Sequence, residues 1–338
     1  MDGAVAVMPR GPSRVIVAAD VGATNLRVGI FDLSATLLKV KVIRTPRSGG
    51  QDAVAIAIKQ IAENLLKSLG IKDIVGVGIG TIGPLDIRKG IVINTPNNPL
   101  RTFRLKEPLE KYFGVPTYVV NDCVAAVWGE YNAGCGKGAR NIVYITLSTG
   151  IGAGVIVDDH LLLGKDGNAH EVGHITVNYK YRIRCGCGGI GHWEAIASGA
   201  NIPKFARELA REWQGGKTTV FNKALAGSLT PEELFRHWRT GDEFAAYVVH
   251  ELIEVNAAGL GSVINVYDPE IISLGGSITI NNTDFIEKVI DNVHKYAINK
   301  VPKITITSLG ENAVLVGAAY LVLNTPKELM RIQGRTYQ

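Results

Sequence analysis

Two stretches of this chain read as the same small unit: an apolar strand, a turn rich in Gly and Thr, and a second strand with Asp at its end. Residues 15–19 run into Asp20-Val21-Gly22-Ala23-Thr24-Asn25 and resume as a strand over 26–32. Residues 141–147 run into Ser148-Thr149-Gly150 and resume over 153–157, with Asp158 next. Set side by side, Arg27-Val28-Gly29-Ile30-Phe31-Asp32 and Ala153-Gly154-Val155-Ile156-Val157-Asp158 share their length and their closing carboxylate. Such a repeat argues for two similar halves, each opening on a β-hairpin, although a match one unit long also arises by chance.

The pattern around the hairpins agrees with two halves. Residues 37–43 read as a third strand, and Ala53–Leu69 has helical periodicity with Gly70 as its stop. Strands are expected over 74–79, 86–93 and 117–120, and a helix over 124–131. In the second half 178–191 is loop-rich, 195–266 is mostly helical, 271–274 and 304–307 are strands, and 312–323 closes the chain as an apolar helix. At 338 residues the chain exceeds one small core. Strands followed by helices, twice over, specify an α/β fold with two lobes and a cleft, where a transferase of two substrates would place its chemistry.

Composition narrows the partners. The formal charge of +5 is spread without a basic block, which suits an anionic substrate and offers no nucleic-acid face. No apolar run approaches the roughly 20 residues of a membrane span. Residues 1–14 carry Pro9 and Pro12 and lack the apolar core of a leader. The expectation is a cytoplasmic protein with neither nucleic-acid nor membrane partners. Four cysteines are too few for a disulfide scaffold at this size.

The turns carry the first chemistry. Glycine lets backbone approach a ligand, and successive N–H groups in a turn can cradle phosphate oxygens. Gly22 provides that approach, Thr24 and Asn25 add donors, and Asp20 suits hydrated Mg²⁺, which takes one or two carboxylates with water and phosphate. The hexapeptide also fits an ordinary hairpin. Thr149 and Gly150 occupy the matching turn of the second half. Its Gly-x-Gly-x-Gly run is no dinucleotide fingerprint, because a strand rather than a helix follows. Gly275 and Gly276 follow a strand near a helix start, where a nucleotide could pack and a plain turn fits equally.

Asn121-Asp122 stands between a strand and an apolar helix. Asp122 reads either as a helix cap or as a base for an attacking hydroxyl. Downstream, His174, Cys185, Cys187 and His192 make a His/Cys/Cys/His set suited to tetrahedral Zn²⁺, with no position open for catalysis. Free thiols, or a Cys185–Cys187 disulfide, are the alternatives; the latter would be strained, and a reducing cytosol disfavours it. Glu171 and Glu194 are not needed by the metal and stay available as hydrogen-bond acceptors.

Five motifs occur in order: Asp20-x-Gly22-x-Thr24-x-x-Arg27-x-Gly29, Thr95-Pro96-Asn97-Asn98, Asn121-Asp122, Glu171-Val172-Gly173-His174, and Cys185-x-Cys187-Gly188-x-x-Gly191-x-x-Glu194. Together they resemble the ROK family of repressors, open reading frames and sugar kinases, within it the glucokinase and hexokinase branch, from Asp20 to about Gly317. The resemblance implies a two-lobed actin/hexokinase-like ATPase fold of duplicated ribonuclease H-like lobes. Its lobes would be 1–121 with about 312–338, and 122–311 with the zinc-type loop and a helical insert. It implies ATP-dependent phosphorylation of a hexose, glucose to glucose 6-phosphate, with broad hexose specificity and with Mg²⁺ and structural Zn²⁺ as cofactors.

The same resemblance assigns roles. Asp20, Gly22, Thr24, Asn25, Arg27, Thr149, Gly150, Gly275 and Gly276 would bind nucleotide. Asn97, Asn121, Asp122, Glu171, His174 and Glu194 would bind sugar, with Asp122 as general base. His174 would serve zinc and sugar at once, one ring nitrogen each. A homodimer is implied as well. Two positions depart from the family pattern: His192 replaces a third Cys, and His170 stands where a small residue is expected. N-acetylmannosamine kinase and fructokinase remain alternatives, because pocket shape sets that choice. A sugar-sensing repressor would need a helix-turn-helix module, and nineteen residues before Asp20 are too few for one. A chaperone or filament ATPase would leave Glu171, His174 and Glu194 without a purpose.

Overall fold

The computed structural model describes residues 13–95 and 98–334. They divide into two compact units: one takes the chain up to Gly134, His160–Ala169 and everything from Asn312, the other takes Cys135–Asp159 and His170–Glu311.

Unit one opens on β1 (Arg14–Val21), whose residues from Val15 to Ala19 are wholly buried. It pairs antiparallel with β2 (Asn25–Phe31), and β2 with β3 (Leu37–Arg44). Helix α1 (Ala53–Leu69) has the bounds its periodicity predicts. Val54, Ile58, Ile61 and Leu65 fall on its buried face, and Gly70 ends it in the left-handed conformation at φ 69°. β4 (Asp73–Thr81) follows, parallel to β1.

The strand expected over 86–93 is a hairpin instead: β5 (Leu85–Asp86) and β6 (Ile91–Val92) pair antiparallel around Arg88-Lys89-Gly90. Gly90 reverses the chain at φ 62°, and β7 (Phe103–Arg104) adds to β6. Helix α2 (Lys106–Phe113) had no clear apolar periodicity to announce it, since it buries only Pro108 and Leu109. β8 (Thr117–Asn121) and α3 (Asp122–Ala133) complete this part. The main sheet is ordered β3-β2-β1-β4-β8, with β1, β4 and β8 parallel.

Unit two opens on the antiparallel hairpin β9 (Ile142–Leu147) and β10 (Ile151–Val157); β11 (His160–Leu161) begins the segment that belongs to unit one. The stretch expected to be helical contains α4 (Trp193–Ala197), α5 (Ile202–Glu212), α6 (Thr219–Ala226), α7 (Pro231–Arg239) and α8 (Glu243–Tyr267). β12 (Ile271–Gly275) pairs parallel with β9, α9 (Ser277–Asn281) and α10 (Thr283–Asn292) follow, and β13 (Lys303–Ile306) pairs parallel with β12. The order β10-β9-β12-β13 repeats β2-β1-β4-β8. The strands matched in the sequence repeat, β2 and β10, are therefore equivalents. This duplicated α/β arrangement is the actin/hexokinase-like fold class expected.

Helix α11 (Ala313–Leu323) returns to unit one, and the chain does not close there: α12 (Lys327–Ile332) follows. α11 is apolar all round because it packs against α3 as well as β1 and β4. Leu315, Ala318 and Ala319 join Ile16, Ala18 and Phe31 in one buried cluster. Contact is backbone to backbone. A side chain at Gly317 would strike the carbonyl oxygen of Ala125, and one at Gly78 the carbonyl oxygen of Ala318. Among the described residues no helix is long and apolar enough to cross a membrane.

Candidate active site and metal centre

In unit one the site residues collect at the carboxyl ends of β1, β4 and β8, where open α/β sheets present ligand sites. Asp20 lies opposite Arg27 on β2 and Gly80 on β4, and Asn121 lies opposite Thr81. The turn after β1 is held by its own backbone and by Thr45. Gly22 N–H donates to Asn25 O at 2.9 Å, Thr45 Oγ1 donates to Gly22 O at 2.8 Å, and Thr45 N–H donates to Thr24 O at 2.9 Å. Thr24 and Asn25 are left exposed. Arg27 donates to Asn312 Oδ1 at 2.7 Å and approaches Asp20 to 4.0 Å. Asn312 was not anticipated, because 285 residues separate it from Arg27 and no local signal links them.

Asp20 carries the most perturbed carboxyl here. Burial pushes it up to about 7, the charge of Asp122 adds to the rise, and Arg27 opposes it. The cap of α3 is Asn121, with extended backbone and a side chain that accepts from Cys123 N–H at 2.9 Å. Asp122 is thus not the cap but the first helical residue. Its Oδ1 accepts from the same N–H at 2.8 Å, and the helix dipole there favours a carboxylate. Asn97 lies outside the described residues. Beside it Asn98 is buried, donating to Pro46 O at 3.1 Å and accepting from Leu100 N–H at 2.9 Å.

Unit two brings its predicted residues together as well. Ser148 N–H donates to Gly150 O at 2.9 Å, closing the β9–β10 turn, and Gly199 and Ala200 N–H groups donate to Ser148 O and Thr149 O at 2.7 and 3.2 Å. Gly275 lies opposite Thr146 on β9. A side chain on Gly276 would run into Leu147 O, so these two glycines sit against the end of β9.

Glu194 adjoins the same turn. Its Oε2 accepts from Ile151 N–H at 3.0 Å, and a Cβ on Gly150 would stand 2.7 Å from that oxygen. Its neighbour Trp193 is wholly buried and donates to Asn256 Oδ1 of α8 at 2.9 Å, an anchor no local motif announces. Glu171 precedes a short 3₁₀ turn, Val172–His174, whose Gly173 packs on the carbonyl oxygen of Ile151. Glu194 and the turn that carries Glu171 and His174 therefore both adjoin Ile151, the first residue of β10.

The four donor atoms of His174, Cys185, Cys187 and His192 all lie within 4.8 Å of one another. Cys185 Sγ is 3.7 Å from His174 Nδ1, and Cys187 Sγ is 3.3 Å from His192 Nδ1. Zinc bonds of about 2.3 Å to sulfur and about 2.0 Å to nitrogen fit such spacings, and the donor set suits a closed tetrahedral site. His174 turns its other nitrogen outward, with Nε2 3.6 Å from Glu171 Oε2. Cys185 N–H donates to Gly189 O at 2.8 Å, and Gly189 leaves space that the His192 ring occupies. Burial lowers the His192 imidazole, with the charge of His174 adding, which favours the neutral, ligating form. His170, though next to this set in sequence, is buried and is not one of the four.

Relatives place this geometry. The chain is 41% identical over 313 residues to a glucokinase of Pyrobaculum calidifontis, covering 92% of this chain and 96% of that one. Among solved structures it matches the ROK hexokinase of Thermus thermophilus at TM-score 0.77 and 32% identity, covering 90% and 96% of the two chains. A ROK family glucokinase of Streptomyces griseus in complex with glucose and AMPPNP matches at TM-score 0.70 and 30% identity, covering 91% and 98%. The family model for ROK spans residues 16–325, and the chain belongs to the ROK family.

Proposed function

We propose that the chain transfers the terminal phosphoryl group of ATP to the 6-hydroxyl of glucose, yielding glucose 6-phosphate and ADP, and accepts other hexoses. The glucokinase and hexokinase names of relatives matched over nearly the whole chain support the reaction. One local observation carries the reading of the site: Glu194 binds Ile151 N–H and lies against Gly150, so a carboxylate suited to sugar hydroxyls adjoins a turn suited to phosphate.

Phosphoryl transfer asks for positioning and charge neutralisation more than for covalent chemistry. In unit two, Glu171 and Glu194 accept hydrogen bonds from sugar hydroxyls, and His174 offers Nε2 while Nδ1 faces the thiols. In unit one, Asp122, at the start of α3, takes the proton of the attacking hydroxyl as that hydroxyl's oxygen bonds to phosphorus and the bond to ADP breaks. Backbone N–H groups of the two turns hold phosphate oxygens, and Arg27, steadied by Asn312, adds positive charge. Magnesium bound with the nucleotide would neutralise phosphate charge, and Asp20 is the carboxylate to hold it. His174, Cys185, Cys187 and His192 would hold zinc, which fixes their loop and orients His174.

The same reading carries a cytoplasmic homodimer, for which family resemblance is the support and light scattering the check. The reaction is tested by ADP release with glucose, mannose, fructose and N-acetylmannosamine, and by ³¹P NMR of the product. Glucose-dependent release with a primary phosphate ester as product supports the proposal. Release that no sugar stimulates overturns it.

A further inference from the structure

Away from all these residues, unit one holds a cleft of about 720 Å³ bounded by the β5–β6 turn, the segment that begins with β11, and α12. That volume falls within the range of about 300–1,000 Å³ typical of small-molecule sites. The floor is hydrocarbon: Leu161 and Leu163 are buried in it, and Leu162 and Ile332 complete it.

The rim has the opposite character. Arg88, Lys327 and Arg331 line it with a single carboxylate, Glu328, which His160 Nδ1 already engages at 2.7 Å. Arg88 and Arg331 have no ion-pair partner among the described residues. The nearest acid in sequence to Arg88, Asp86, accepts from the N–H groups of Arg88 and Lys89 and pairs with the Lys89 ammonium at 3.8 Å. A guanidinium is a planar fork matched to carboxylate and phosphate oxygens. Two such forks with no partner of their own, above an apolar floor, complement one kind of molecule.

We propose that this cleft is a second ligand site, taking a small molecule that joins an anionic head to an apolar or aromatic body. The head lies against Arg88 and Arg331, and the body covers the leucines and Ile332.

The test uses 1-anilinonaphthalene-8-sulfonate, an anion on an aromatic body whose fluorescence rises in apolar surroundings, titrated into the full chain at low salt. Saturable binding of one probe per chain is expected, unaffected by ATP or glucose. The double variant R88Q/R331Q should weaken it by about tenfold or more, because charge-assisted contacts are the strong ones. N-phenyl-1-naphthylamine, with the same rings and no charge, should bind parent and double variant alike, and Leu162→Glu should abolish sulfonate binding. Melting temperature and ADP release without probe should be parental in these variants. Alkyl carboxylates and aryl phosphates, offered as competitors in separate arms, identify the preferred head. Unsaturable binding, equal affinity in the double variant, or displacement by ATP or glucose would overturn the proposal.

Discussion

At the residue scale the proposed chemistry rests on two carboxylates, Asp20 and Asp122, and the charge of the second acts on the first. Asp20 rises from its ordinary 3.8 to about 7, first through burial and then through the charge of Asp122, against Arg27. Between those values the folded chain keeps a proton that the unfolded chain has released, so stability falls as pH rises; above about 7 the penalty is complete. Asp20→Asn should therefore melt with the parent below pH 3.8, gain on it as pH rises, and level off above about pH 7. Scanning calorimetry across that range checks this, and a pH-independent difference would count against it. Placing Asp122→Asn beneath both chains should move the rise to lower pH.

The motifs at this scale were legible because their spacing is local. Asp20 and Gly22, or Cys185 and Cys187, must sit close whatever the rest of the chain does. Asn312, which steadies Arg27, and Asn256, which anchors Trp193, were not legible, since tertiary packing alone brings them near. Asp122 was half legible: a carboxylate at a helix start was evident, but the choice of Asn121 as cap depends on its backbone conformation.

At the element scale the loop 178–191 is the clearest case of structure without a regular ladder: it contains only an isolated bridge between Arg184 and Ile190. Zinc is expected to supply the missing order. Removing metal with dipicolinate should raise hydrogen exchange in that loop and raise the KM for glucose through His174, with a smaller fall in kcat. One zinc per chain by mass spectrometry should accompany the untreated enzyme. Unchanged exchange and KM after complete metal removal would refute this role. The α3–α11 contact supplies a second test. Gly317→Ala would drive a methyl group into the carbonyl of Ala125 and should destabilise by about 3 kcal/mol, read from urea unfolding.

Element boundaries could be read where one face was apolar and a stop was present, as with α1 and Gly70. They failed where residues were few. The expected strand over 86–93 contains a turn made by Gly90, and α12 is too short, at six residues, for a periodic signal.

At the scale of the whole molecule the duplication organises what each unit carries. Both units present a hairpin whose turn lies at the carboxyl end of a strand paired in parallel with the next, β1 with β4 and β9 with β12. The repeat was faint in the sequence because it needs only apolar strands and a permissive turn, which many residues satisfy. The strand order made it plain. Unit one offers Asp122, the proposed base, at the start of α3, and unit two offers Glu194 on Ile151 N–H beside the turn that carries Glu171 and His174. The proposed kinase needs both contributions. The most direct measurement is the rate of glucose-dependent ADP release by Asp122→Asn beside the parent, with glucose affinity measured in both. A positioned base contributes about 10² to 10⁴ in rate, so kcat should fall by about a hundredfold or more while glucose affinity and melting temperature stay near parental. A variant that turns over at close to the parental rate would return Asp122 to a purely structural place at the start of its helix.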